Sequence, residues 1–213
     1  MAISKANFNS FNVTPTASKF ITFNSSNNGL AADDVGGALK LISTQTASSS
    51  STVSFTSGID STYKEYIFKF YNLHPSATAK LQVNFSADGG SNYNVTKTTT
   101  AIQIYHSENT DSDTGFGYST GGDLAQGTGA AQIGQGASTG NDESLAGFLH
   151  LFDPSNTTFV KHFLADTVST SDSYAYRRLH AGYGNTTSAI NAVQFSQSSG
   201  NIDSGVIKLY GIS

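Results

Sequence analysis

Five histidines (His74, His106, His150, His162 and His180) open the search for chemistry, because imidazole is the commonest metal ligand and general base. None forms a close ligand pair with another on one element. His150 and His162 can face each other across neighbouring strands, and Asp166 would then complete a three-ligand metal site. The alternative is that each histidine is a strand residue bonded to backbone or to a tyrosine hydroxyl. Asp111-Ser-Asp113-Thr-Gly115 begins like a calcium loop, but its glycine falls one place early and no Glu stands at the twelfth position. An irregular calcium site on Asp111, Asp113 and backbone oxygens stands against a solvated acidic turn. No Gly-x-x-x-x-Gly-Lys phosphate loop occurs, and the only glutamates, Glu65, Glu108 and Glu143, are not paired as glycoside hydrolysis requires. The expectation is a protein that is not an enzyme and takes no cofactor or metal.

Aromatic side chains on a hydroxyl-rich surface offer a different chemistry, stacking on sugar rings. Phe116, Tyr118, Tyr174 and Tyr176 are the candidate receptor contacts, and Tyr174 and Tyr176 share a strand face with Arg178. The competing reading is core or subunit contact, since tyrosine buries a large ring while its hydroxyl stays solvated at a rim.

The elements that must position these residues follow from composition. A chain of 213 residues and 22.3 kDa can bury one large core, or a smaller one beside an appendage. Ser, Thr, Asn and Gly make up more than two fifths of it, while charged residues make only 12%. This excludes coiled coils and helical bundles, and 14 Phe with 10 Tyr exclude a disordered polyelectrolyte. Such residues suit strand faces and turns better than helix interiors. A net charge of −4 without a basic cluster excludes nucleic acid as a partner, and no apolar run has the length for membrane insertion. The amino terminus lacks the apolar core of a secretory signal, so synthesis in the cytoplasm is expected. With no Cys, stability has to come from packing, backbone pairing or oligomerisation.

Along the chain, residues 1–28 read as a polar arm whose apolar grip is Phe20, Ile21 and Phe23. Gly29 to Thr44 is the one helical candidate: Asp33 can cap it, and Val35, Ala38, Leu39 and Ile42 recur at i, i+3, i+4 and i+7. Gly36 and Gly37 weaken that helix by about 1 kcal/mol each, so it needs a partner surface. Gln45 to Ser51 reads as a flexible joint and sets the boundary between residues 1–50 and 51–213. Beyond it the apolar period becomes two. Strands are expected at Val53–Phe55, around Tyr66, Phe68 and Phe70, at Leu81–Phe85, Tyr93–His106, Leu145–Phe152, Phe159–Val168, Ser173–Tyr183, Ile190–Ser196 and Val206–Ile212. Asp88-Gly-Gly should close a hairpin between the third and fourth of these, and Ser107 to Gly140 reads as one long loop. The pattern implies an all-β chain: an antiparallel β-sandwich of jelly-roll type with an N-terminal arm and one short helix.

Two stretches carry a resemblance. Leu30-Ala-Ala-Asp-Asp-Val35-Gly-Gly-Ala38-Leu39-Lys-Leu41 resembles a motif of phage tail-fibre and appendage proteins, whose helix often joins a threefold bundle. The body resembles structural proteins of marine bacteriophages, including cyanophages. It does so through Ser57–Tyr66, Asn72–Pro75, Leu149–Pro154, Phe159–His162, Gly184–Ile190 and Ile207–Ile212. The resemblance implies a virion structural protein on the particle exterior: a fibre, appendage or capsid decoration, with self (as a homotrimer) and other virion proteins as partners. Assembly would run through Phe20, Ile21, Phe23, Val35, Ala38, Leu39 and Ile42, ordered on docking. The alternative is a host-attachment module that binds a host-surface receptor, protein or glycan, through the sandwich loops, residues 107–140 among them.

Overall fold

The computed structural model describes residues 19–23, 30–34 and 38–212, and the chain divides into two compact units, Met1–Ala38 and Leu39–Ser213. In the first, β1 (Lys19–Phe23) pairs antiparallel with β2 (Leu30–Asp34), Lys19 opposite Asp34 and Phe23 opposite Leu30. Ile21 is exposed. Val35, and the side chains of Phe20 and Phe23, lie outside the described residues.

The second unit contains β3 (Leu39–Ser50), β4 (Thr52–Phe55), β5 (Glu65–Pro75), β6 (Leu81–Ser86), β7 (Lys97–Ser107), β8 (Thr114–Tyr118) and β9 (Leu124–Gly127). It continues through β10 (Ala131–Gln132), β11 (Leu145–Phe152), β12 (Lys161–Ser171), β13 (Tyr174–Gly184), β14 (Ala192–Gln197) and β15 (Ile202–Ile212). A large sheet runs β3-β15-β5-β11-β12-β13-β7-β8, with β9 also paired to β7, and a small sheet runs β10-β6-β14-β4. The paired strands are antiparallel throughout.

The period-two reading places the core correctly. Tyr66, Phe68 and Phe70 of β5, Leu149 and Leu151 of β11 and Ile207 and Leu209 of β15 point from the large sheet into one cluster with Val83, Phe85, Val193 and Phe195 of the small sheet. Phe195 sits centrally, its ring 5.2 Å from both Phe68 and Phe70 and 6.3 Å from Phe55, all edge-on. The result is a two-sheet antiparallel sandwich. Jelly-roll winding specifically is not shown: β11, β12 and β13 are consecutive neighbours in one sheet. The tight β12–β13 reversal, with Asp172 and Ser173 both at positive φ, leaves β13 no length in which to cross.

The helix expected over Gly29–Thr44 does not form, since Leu30–Asp34 and Leu39–Thr44 are strand. The weak propensity loses to pairing: β3 makes a ladder with β15 from Leu39 opposite Ile212 to Ser50 opposite Ile202. Of the expected helical stripe, Leu39 stays exposed, while Ile42 packs on the sandwich core. The tract expected as a joint is the second half of that strand, so residues 39–50 belong to the second unit. The hairpin at Asp88-Gly89-Gly90 is likewise a corner. Gly89 and Gly90 do adopt φ of +74° and +90°, but β6 and β7 enter different sheets. Within 107–140, the expected loop holds β8, β9, β10 and a 3-10 turn at Thr120–Gly122. Its glycine-rich strands carry too little apolar alternation to be read as strands.

Toward β13 and β7 the layer between the sheets becomes polar. Arg178 is fully buried, with Nη1 donating to Gln135 Oε1 at 3.3 Å, and Gly122 is required beside it because a Cβ there would lie 2.2 Å from Nη2. Next to it His180, 2% exposed, stacks on Phe163 and donates from Nε2 to the Gly122 carbonyl at 3.1 Å. Among the described residues its buried Nδ1 has no partner, so a proton added there would meet no acceptor. Burial pulls this imidazole down to about 4, and the Arg178 guanidinium acts in the same direction. The unfolded chain therefore binds the proton first. Stability is complete above the ordinary histidine value of about 6.5 and declines as pH falls toward 4, by about 3 kcal/mol in all. Urea midpoints measured from pH 7.5 to 4 should show this loss, and His180→Gln should flatten the curve over that window.

Candidate interaction surfaces

The outward face of the large sheet carries no second layer among the described residues. Alternation places Lys69 and Tyr71 of β5, Phe148 and His150 of β11, Leu164, Asp166 and Val168 of β12, Arg177 and Leu179 of β13, and Ile102 and Ile104 of β7 on it. Phe116 and Tyr118 of β8 lie opposite Ile104 and Ile102, on the same face. Most of the large hydrophobic side chains exposed among the described residues stand here, Tyr71, Ile104, Phe116, Tyr118, Leu164 and Val168 among them. Three concavities follow one another along it: about 470 Å³ beside Ile104, Val168 and Arg177, about 310 Å³ beside Ile102, Leu164 and Leu179, and about 410 Å³ beside Phe152, Leu164 and Tyr183. All three are lined chiefly by apolar atoms.

Polar groups on this face are mostly satisfied within it. Arg177 forms a two-point pair with Asp166, Nε at 3.0 Å and Nη2 at 2.7 Å. His150 pairs with Glu65 through Nδ1, and His162 lies against Tyr183. The triad expected from His150, His162 and Asp166 is thus not assembled, because each residue faces a different neighbour. No cluster of three or more potential metal ligands occurs among the described residues. Lys69 and Lys208 sit over the Tyr210 and Tyr71 rings at 5.5 and 5.6 Å.

On the opposite side, at the end of β7 and β13, Tyr105, Tyr174 and Tyr176 form a trio with ring centroids 5.7 to 6.1 Å apart. The Tyr174 hydroxyl donates to Asp113 Oδ2 at 2.7 Å, so Asp113 secures a ring rather than opening a calcium loop. Tyr105 lies across Gly115, where a Cβ would sit 2.4 Å from the ring. Beyond that ring, Gly117 faces open space above a concavity of about 240 Å³ bordered by Gln103, Ser119 and the Phe116 and Tyr118 segment of β8. The four aromatic residues expected to act together are therefore divided. Tyr174 and Tyr176 join Tyr105 on one side of the sheet, while Phe116 (73% exposed) and Tyr118 (60%) lie on the other. Tyr105 escaped the sequence reading although it sits opposite Tyr176 in the ladder, because cross-strand register is not visible in a sequence.

Two further sequence features fall here. No nucleophile elbow is expected from the sequence, yet Gly117-Tyr118-Ser119-Thr120-Gly121 and Gly136-Ala137-Ser138-Thr139-Gly140 both have its Gly-x-Ser-x-Gly spacing. Neither stands at a strand-to-helix turn. Ser119 precedes a three-residue 3-10 turn, and the Ser138 hydroxyl bonds to that of Thr78 at 3.0 Å. No helix among the described residues is long and apolar enough to cross a membrane. Compared with protein-family models, with curated proteins and with solved structures, the chain matches none.

Proposed function

We propose that the protein is a non-enzymatic structural component that assembles by burying the outward face of its large sheet against further copies of itself. The observation that carries this reading is the concentration of exposed apolar side chains on that one face. Contiguous apolar patches of this kind mark interaction sites on soluble proteins. The face spans eight strands, several of them 11 residues long. At strand spacings of about 4.8 Å and rises of about 3.3 Å per residue, this gives on the order of 1,000 Å², above the roughly 800 Å² per partner of a standard interface. A Cys-free sandwich of low charge suits a particle exposed outside a cell, beyond the reach of chaperones. The particle itself, a phage virion with this chain in an exterior fibre, appendage or decoration, is proposed from the sequence resemblance.

Sedimentation equilibrium of the full chain tests the reading. The expected mass is a multiple of 22.3 kDa at micromolar concentration. The double variant Leu164→Asp with Val168→Asp places two unpaired charges in the interface and should return the protein to a single copy. A wild-type protein that stays monomeric up to the highest soluble concentration contradicts the proposal.

A further inference from the structure

We propose that the trough beside the tyrosine trio is a binding site for one uncharged sugar ring at the end of a glycan chain. The site is distinct from the apolar concavities of the assembly face, because Tyr105 and Gln103 lie on the other side of the large sheet, while the Phe116 and Tyr118 segment of β8 borders both. Its shape comes from glycine. Gly115 lets the Tyr105 ring lie flat on the β8 backbone, and Gly117 leaves the neighbouring floor bare, with nothing within 4 Å of where its Cβ would be. The opening is about 240 Å³, below the roughly 300–1,000 Å³ of sites that take drug-sized ligands, so it suits a single ring.

The lining chemistry narrows the class further. An aromatic wall beside Gln103, the Ser119 hydroxyl and exposed strand backbone pairs a stacking surface with hydrogen-bonding groups, the combination a sugar presents in return. The rings are pre-positioned: Tyr174 is tied to Asp113, and Tyr174 and Tyr176 lie 5.7 Å apart, so ordering them on binding costs little. Among the described residues no charged side chain lines the trough, so an acidic sugar's carboxylate would find no ionic partner there and a neutral ring is the better fit.

Saturation-transfer NMR on the full chain with glucose, galactose, N-acetylglucosamine and sialic acid, each at millimolar concentration, tests the site. Transfer is expected to at least one neutral sugar and not to sialic acid. Gly117→Leu, which fills open space, and Tyr105→Leu, which removes the stacking wall, should each weaken binding about tenfold, while Phe159→Ala, at an exposed ring outside the trough lining, leaves it unchanged. Melting curves establish that each variant is folded; should Gly117→Leu not fold, Tyr105→Leu decides. Absence of transfer to any neutral sugar, or transfer undiminished in the folded trough variants, overturns the site and leaves the assembly reading untouched.

Discussion

Phe195→Ala is expected to lower the unfolding free energy of the second unit by about 3–5 kcal/mol, and its melting temperature by about 10 °C. The ring is fully buried and makes edge-on contacts with Phe55, Phe68 and Phe70, drawn from β4 and β5. Truncation leaves a cavity walled by three rings, each held in its own strand and unable to collapse inward. Because those rings come from both sheets, the loss falls on the contact between layers rather than on one ladder. Urea unfolding followed by tyrosine fluorescence gives the value, and a loss below about 1 kcal/mol would mean that the sheets do not meet there.

Gly147→Val should be equally damaging for a different reason. Gly147 has a φ of +146°, and a Cβ on it would lie 2.3 Å from the Asp166 carbonyl oxygen and 2.8 Å from the Thr167 Cα. Both obstacles are backbone of β12, so nothing can rotate away, and a β-branched residue resists that φ besides. The position coincides with the register shift between β11 and β5 at Leu145/Gly147, where a bulge bends the central strand. We expect the variant to lose 3 kcal/mol or more, on the order of the largest single-site effects, or to be recovered unfolded. Gly117→Val is the matched control in open space and should change stability by less than about 0.5 kcal/mol. Equal stability of the two variants would remove the bulge from the account.

How far the sequence revealed these features depended on whether a residue's role is local. The Phe68 and Phe85 faces were legible because period-two alternation is a property of a few neighbouring residues. So was the positive φ at Gly89 and Gly90. What those residues could not show was where the chain goes next. The same turn serves a hairpin or a corner, and only the competition between sheets for β7 decides. The Leu39–Ser50 segment failed as a helix for a related reason: its strand state is stabilised by β15, which lies more than 150 residues later in the chain. Short glycine strands such as β8 were invisible because their ladder uses backbone, and Gly115 and Gly117 have no side chain to reveal a face.

The interaction surfaces were half legible. Phe116, Tyr118, Tyr174 and Tyr176 were picked out as aromatic residues in polar surroundings, and all four are at least partly exposed. Their division between two faces depends on the register of β8 on β7 and of β13 on β7, which one residue of slippage would invert. The apolar outer face escaped notice altogether. Leu164, Val168 and Ile104 look in sequence like ordinary core positions of strands buried on both sides, yet no second layer covers them among the described residues.

The absence of cysteine from the chain allows the most direct test of the claim that the outer face is buried on assembly, because a single introduced thiol is then a unique probe. Val168→Cys places one at the centre of that face, and Thr52→Cys places one on the exposed edge strand of the small sheet. Maleimide labelling of both variants across a dilution series should show Val168→Cys reacting at least about tenfold more slowly than Thr52→Cys at micromolar concentration, as expected for a thiol in the desolvated core of an interface. The two rates should converge on dilution. Equal labelling rates at every concentration would contradict the account.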